Sequence, residues 1–353
     1  MTDVPSFLDR LAAVPLLGSV LRPTRKAARG WALASVILNV LAIATGAAVR
    51  LSDSGLGCPD WPTCTKTSAV ATTSTGQTLL NSWVEFGNRL LTVGLTVVIG
   101  LTFIAFVMYK PGGRRRKDLI WLAAILPLGV ILQAVVGGVT VLTKLNPSLV
   151  ATHFLLSAWI LVPAAIVLHA WTGEGPGPVR NLVRADLRVM AGLLVAATGA
   201  VLAAGTVVTG TGPLAGTTID SHGRLHTVPR FHLSLAGATQ FHADLAWFIS
   251  ALAVALLIGL QFTPGTPRRS VIYSRVVLGW IVVQAIIGYV QYFNHLPAGL
   301  VWVHVASAAC LWVAVLWLYL STRERAEVPV LDVTGPDAGV PAEPATPVRT
   351  ENS

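Results

Sequence analysis

Gln133-Ala-Val-Val-Gly-Gly-Val139 recurs 151 residues later as Gln284-Ala-Ile-Ile-Gly-Tyr-Val290, and the same interval separates Leu149-Val-Ala-Thr-His153 from Leu300-Val-Trp-Val-His304. Apolar stretches match one another easily by chance. A glutamine, a glycine and a histidine held in one register do not, so the chain reads as a tandem duplication. Further back, Glu85-Phe86 resembles Gln240-Phe241, with a small change of length between the copies.

Both copies lie within long apolar blocks. Of 353 residues, 54% are hydrophobic and only 12% charged, with a mean hydropathy of +0.68. Soluble domains carry about 25% charged residues, which excludes an ordinary globular protein. About 20 apolar residues cross a hydrocarbon core roughly 30 Å thick. Eight blocks meet that length, at about 31–50, 85–109, 119–143, 151–171, 189–210, 242–262, 275–293 and 300–321. The fold class is therefore an all-α integral membrane protein. Its eight transmembrane helices form two tandem four-helix bundles related by a pseudo-two-fold axis. Four spans per copy bring both copies into the membrane in the same sense, so that axis runs along the membrane normal.

The net charge of +9 sits in alternate loops. Arg22, Arg25, Lys26 and Arg29 precede span 1, and Lys110, Arg114, Arg115, Arg116 and Lys117 follow span 2. Arg180, Arg184 and Arg188 follow span 4; Arg268, Arg269 and Arg275 follow span 6; Arg323 and Arg325 follow span 8. This is the charge pattern of membrane topology rather than a nucleic-acid-binding stripe. It predicts a multi-pass protein of the plasma membrane with both termini cytoplasmic and no cleaved signal peptide. The resulting organisation is a cytoplasmic segment 1–30, an N-terminal half 31–172, a cytoplasmic linker 173–188, a C-terminal half 189–321 and a disordered cytoplasmic tail 322–353. Two long loops, about 51–84 and 211–241, face outward and are candidates for function.

Ionisable residues inside a membrane are costly and usually functional. His242 and His304 fall just inside the outer ends of spans 6 and 8, which are diagonal partners in an up-down bundle. Their imidazoles can meet across its core, the arrangement that six-coordinate haem iron requires. His153 takes the place of His304 in the first half, where span 2 offers Glu85-Phe-Gly-Asn88-Arg89 and no histidine. A second site follows, with one clear axial donor and a carboxylate beside it. Glu85 is alternatively an N-terminal helix cap, and Arg89 either pairs with it or holds an anionic propionate. His169 reads as a packed histidine, and His222, His226, His232 and His295 as loop residues. Cys58 and Cys64, in Ser54-Gly-Leu-Gly-Cys58-Pro-Asp-Trp-Pro-Thr-Cys64, face a compartment that permits disulfides. The pair is either a structural staple or a redox-active bond. Cys310 reads as a packed thiol.

Together these residues resemble the haem A synthase family in its actinobacterial form, over roughly residues 31–321. The cysteine loop, Glu85-x-x-x-Arg89, Gln133 with its glycine pair, Thr152-His153-Phe, Gln240-Phe-His242 and Val303-His304 carry the likeness. The resemblance implies a haem b cofactor between His242 and His304, and haem O as substrate on His153. It makes Glu85 the essential acid and Asn88 and Arg89 residues of the substrate pocket. It implies oxidation of a haem O methyl group to a formyl group through hydroxylated intermediates, giving haem A for cytochrome oxidase. Haem O synthase, cytochrome oxidase assembly proteins and an unknown electron acceptor are the implied partners. Two departures stand out. The family motif on span 2 has a histidine where this chain has Asn88, and His242 falls one residue early, with Asp244 where an arginine usually stands. With Asn88 there, the substrate haem is held either by His153 alone or also by a loop histidine such as His226 or His232. The competing readings of the whole chain are a non-catalytic dihaem cytochrome b, a haem-binding transporter or assembly factor, and a thiol-oxidising membrane enzyme.

Overall fold

The computed structural model describes residues 12–71, 78–219 and 225–327. After a short helix, Pro15–Leu21, eight long helices follow. They are α1 (Arg25–Leu51), α2 (Leu79–Met108), α3 (Lys117–Leu142), α4 (Pro147–Thr172), α5 (Ala185–Thr211), α6 (Leu235–Phe262), α7 (Arg268–Phe293) and α8 (Ala298–Ser321), each long and apolar enough to cross a membrane. All eight correspond to expected spans, and most begin several residues earlier. Hydropathy marks only the hydrocarbon-embedded part, whereas polar first turns are helical too. Thr24, Thr78, Asn146 and Ser234 cap α1, α2, α4 and α6 by accepting a backbone N–H.

Each half closes as a ring. In the first, α1 packs on α2 and α4, and α3 packs on α2 and α4. In the second, α5 packs on α6 and α8, and α7 on α6 and α8, so α6 and α8 are diagonal. The duplication extends to the pattern of burial. Buried Ala28, Ala32, Ser35, Asn39 and Ile43 of α1 recur at one constant offset as Leu187, Ala191, Leu194, Thr198 and Leu202 of α5. Leu95, Ile99, Thr102 and Phe106 of α2 recur, at a slightly smaller constant offset, as Ile249, Ala253, Leu256 and Leu260 of α6. For α3 with α7, and α4 with α8, the offset is that of the sequence repeat, as in Leu119 with Ser270 and Leu161 with Trp312.

Helices α1 and α4 meet α5 and α8 between the halves. Trp302 Nε1 donates to the Ala44 carbonyl (2.8 Å) and Trp312 Nε1 to that of Ala158 (2.6 Å). Ala158 lies in a π-helical turn, Ser157–Leu161, a widening common near functional sites. Arg50 crosses the same boundary, donating to Thr209 Oγ1 (3.2 Å), the Thr209 carbonyl (3.1 Å) and the Ala215 carbonyl (3.2 Å).

At the end away from the cysteine loop, β1 (Val179–Asn181) pairs antiparallel with β4 (Arg323–Arg325). The sequence places residues 323–325 in a disordered tail, but they form a strand because Arg325 is anchored there. Its guanidinium reaches Asp118 (2.5 Å) and the Pro176 carbonyl (3.0 Å). The expected disordered tail from 328 onward lies outside the described residues, as does His222. A second hairpin, β2 (Thr217–Ile219) with β3 (Leu225–Thr227), belongs to the other long loop.

Candidate functional site

Cys58 and Cys64 are joined by a disulfide, and the loop they close folds down onto α2. Gly57 permits this approach: a Cβ there would lie 2.7 Å from the Asn81 carbonyl oxygen and 2.8 Å from Ser82 Cα. The Trp61–Pro62 peptide is cis. Beneath the loop, Glu85 is 5% exposed. Its Oε2 accepts the Cys58 backbone N–H at 2.7 Å, and its Oε1 accepts from Arg89 Nη2 (2.7 Å) and Nε (3.2 Å). Glu85 is thus not a helix cap, since Thr78 caps α2 and Glu85 lies in its second turn. The Arg89 alternatives also separate. Besides pairing with Glu85, its guanidinium donates to the carbonyls of Cys58 (2.9 Å), Asp60 (3.2 Å) and Thr63 (3.1 Å). These bonds occupy the fork that a propionate would need.

The glycine pair of α3 has two tasks. At Gly137 a Cβ would stand 3.0 Å from His153 Cε1, and at Gly138 one would stand 2.6 Å from the Trp61 ring. One glycine therefore admits the imidazole and the next admits the loop tryptophan. The second half keeps only the first task. Gly288 faces His304 Cε1 at 3.5 Å from a hypothetical Cβ, while Tyr289 occupies the other position and is half exposed. Gln133 Nε2 donates to the His153 carbonyl (2.9 Å) and Ser157 Oγ (2.5 Å). Gln284 Nε2 repeats this with the His304 carbonyl (3.2 Å) and Ser307 Oγ (2.7 Å).

His242 and His304 face each other across the second bundle, with ring centres 6.4 Å apart at 70°. Gly205 of α5 makes room for His242, a Cβ there lying 3.2 Å from its Cε1. Two imidazoles binding one metal through bonds of about 2 Å hold their ring centres about 6 Å apart, so the spacing accommodates a single iron. Nδ1 of His153 and of His304 is buried with no hydrogen-bond partner. Among the described residues no three His, Cys, Asp or Glu side chains converge as a metal cage. A porphyrin, which brings four nitrogen donors of its own, suits a site that offers only imidazoles along its axis.

The remaining residues fall elsewhere. Asn88 Oδ1 is hydrogen-bonded to Thr45 Oγ1 at 2.8 Å. His169 is packed as expected, its Nδ1 2.9 Å from the Arg29 carbonyl and its ring edge-on to Trp317. His226, His232 and His295 lie outside the long helices and are exposed. The burial offset that sets Leu95 on Ile249 also revises the sequence alignment of α2 with α6 by one position. It pairs His242 with Asn88, and Glu85 with Thr239 rather than Gln240. Trp61, Gly57 and Thr45 were not singled out by the sequence. Gly57 and Trp61 entered the sequence reading only as members of the cysteine-loop motif, and Thr45 not at all.

Histidines paired across a duplicated bundle of membrane-spanning helices, with a buried acid under a disulfide loop, define a polytopic membrane protein with two related candidate sites. Comparison with known proteins agrees. Residues 29–316 match the profile of the COX15-CtaA family, described as "Cytochrome oxidase assembly protein", and the chain belongs to that family. It is 26% identical over 312 residues to the "Heme A synthase" of Shewanella oneidensis, covering 78% of this chain and 91% of that protein. It is 26% identical over 346 residues to the one of Azorhizobium caulinodans, covering 86% and 96%. A shorter match, 33% over 135 residues, is to the one of Lysinibacillus sphaericus, covering 37% of this chain and 40% of that protein.

Proposed function

We propose that this protein is a haem A synthase, oxidising a methyl group of haem O to a formyl group through hydroxylated intermediates and releasing haem A for cytochrome oxidase. Family membership and the near full-length likeness to two proteins named "Heme A synthase" support the reading. The observation that carries it is an asymmetry within the duplication. Both halves have the Gln–Gly–His unit, but among the described residues only the first has a buried acid paired with an arginine under a cysteine loop.

In this reading His242 and His304 would hold a haem b between them, and His153 would hold the substrate haem. When bound, haem b supplies one-electron transfer toward an acceptor. The chain's own residues do the rest. Gln133 and Gln284 fix the height of the two α4 and α8 histidines, and the adjoining glycines let the rings approach α3 and α7 closely. Glu85 is held in place from both sides, by the Cys58 N–H and by Arg89, so its carboxylate is positioned before substrate arrives. It accepts a proton, or stabilises positive charge, where the methyl carbon loses electrons. Trp61 on Gly138 keeps the loop closed over the site. Haem O carries a long isoprenoid tail and reaches the bundle sideways from the lipid. The loop bearing Cys58 faces outward from the plasma membrane, and both termini are cytoplasmic.

A dihaem electron carrier would account for the histidines but leave the Glu85–Arg89–Cys58 cluster without a task. Co-expression with haem O synthase in a host lacking haem A, followed by chromatography and mass spectrometry of extracted haems, separates the two. Haem A or its hydroxylated precursor supports the synthase. Unchanged haem O overturns it.

A further inference from the structure

We propose that the N-terminal half grips its haem through His153 alone, leaving the opposite iron position open to a small exogenous ligand beside Asn88. The inference rests on the haem reading above and goes beyond it in saying how the two sites differ.

The argument comes from register. His304 and His153 are counterparts in the repeat, and each receives the same glutamine bond and the same glycine cradle. The partner of His304 across its bundle is His242. Burial sets α2 on α6 with Leu95 over Ile249 and Phe106 over Leu260, so the counterpart of His242 is Asn88. Its neighbourhood matches as well. Asn88 is hydrogen-bonded to Thr45, which adjoins Gly46. Burial likewise sets α1 on α5 with Ile43 over Leu202, making Gly46 the counterpart of Gly205, which cradles His242. A carboxamide tied to a neighbouring helix stands where the second imidazole would be.

Neutral amides are not among the side chains that hold haem iron axially, which are His, Cys, Met and Tyr. Among the described residues the nearby alternatives are already engaged. Glu85 and Arg89 are committed to each other and to the loop, and Cys58 and Cys64 to their disulfide. The second long loop does lean over this half, with Phe231 and Pro147 both against Gly210, and Val228 packed near Leu145. Its histidines, His226 and His232, are nevertheless exposed, and His153 lies six residues below Pro147, about 9 Å along the helix. Iron with one histidine and an open position binds small ligands, whereas iron with two histidines only transfers electrons. The two halves are thereby assigned different work.

The test uses full-length protein purified in detergent and loaded with haem O, read by electron paramagnetic resonance and absorption with and without potassium cyanide. The inference expects one low-spin ferric haem indifferent to cyanide and one high-spin haem that cyanide converts to low spin. Asn88→His should abolish both the high-spin signal and the cyanide response, and His226→Ala and His232→Ala should leave them intact. Two haems that are both low-spin and cyanide-silent in the wild type overturn this inference while leaving the synthase reading standing. So does a cyanide response that changes in either loop-histidine variant. Uptake of only one haem per chain overturns the two-haem reading itself, and this inference with it.

Discussion

Gln133 donates its side-chain amide to the main-chain oxygen of His153 at 2.9 Å, bridging α3 and α4 at the level of the imidazole, and Gln284 does the same for His304 at 3.2 Å. Hydrogen bonds between membrane helices contribute about 1 kcal/mol each, so neither bond holds its bundle together. Its value is positional. Replacing Gln284 with Leu should weaken low-spin haem retention about fivefold and leave the other site's spectrum unchanged, with Gln133→Leu giving the mirror result. Haem titrations followed in the Soret region measure both. If each variant disturbed both sites equally, the glutamines would be general packing groups.

Glu85 and Arg89 should separate stability from chemistry. Arg89→Ala removes the counter-charge of a buried carboxylate and several anchors of the cysteine loop. Breaking a buried pair from one side costs about 3–5 kcal/mol, so a large fall in melting temperature in detergent is expected. Arg89→Lys should recover little, because a single ammonium cannot replace the planar fork. Glu85→Gln keeps an acceptor for the Cys58 N–H and should melt within a few degrees of wild type while losing methyl oxidation. A Glu85→Gln protein with full conversion would remove the acid from the mechanism.

Much of this arrangement was legible in the sequence, and the part that was not has a physical reason. The apolar blocks set the helix count, and the duplicated Gln133 and Gln284 with their histidines set the pairing of halves and the diagonal contact of His242 with His304, because period and polarity survive in one dimension. The roles of Gly137 and Gly138 were not readable. They depend on which ring approaches from another helix or loop, and Trp61 lies two membrane spans earlier in the chain. Glu85 gave the opposite difficulty. Near the start of an apolar block a carboxylate looks like a cap, and only the extra helical turns from Thr78 onward reveal it as a buried side chain. Register was the subtlest loss. The Phe86 and Phe241 match invited an alignment one residue away from the one that burial defines.

Gly138 offers a direct test of the loop's seat. A Cβ there would lie 2.6 Å from the Trp61 ring, closer than atoms tolerate, so Gly138→Val must displace the tryptophan. Overpacking of this kind costs about 1–3 kcal/mol. The loop should open, and the Cys58–Cys64 bond should become more rapidly reducible by dithiothreitol, as measured by thiol alkylation. Tyr289→Val, at the counterpart position, should have no such effect. Equal reduction rates in the two variants would show that Trp61 does not hold the loop down.

The clasp at the far end of the bundle predicts non-additive behaviour. Asp118 is shared by Arg116 (2.8 Å) and Arg325 (2.5 Å), and Arg325 also lies 4.9 Å over the Trp171 ring. Removing Arg325 alone leaves Asp118 paired, so Arg325→Ala should lower stability by about 1 kcal/mol, within the range of partly exposed ion pairs. Removing Arg116 as well leaves the carboxylate without a counter-charge. The double variant should then lose more than the two single losses combined, by about 0.5–3 kcal/mol, the coupling seen between residues of one network. Thermal melts of the four proteins at low salt measure that coupling. Strict additivity would mean that the β1–β4 pairing, and not the shared carboxylate, fastens the segment after α8 to the linker between the halves.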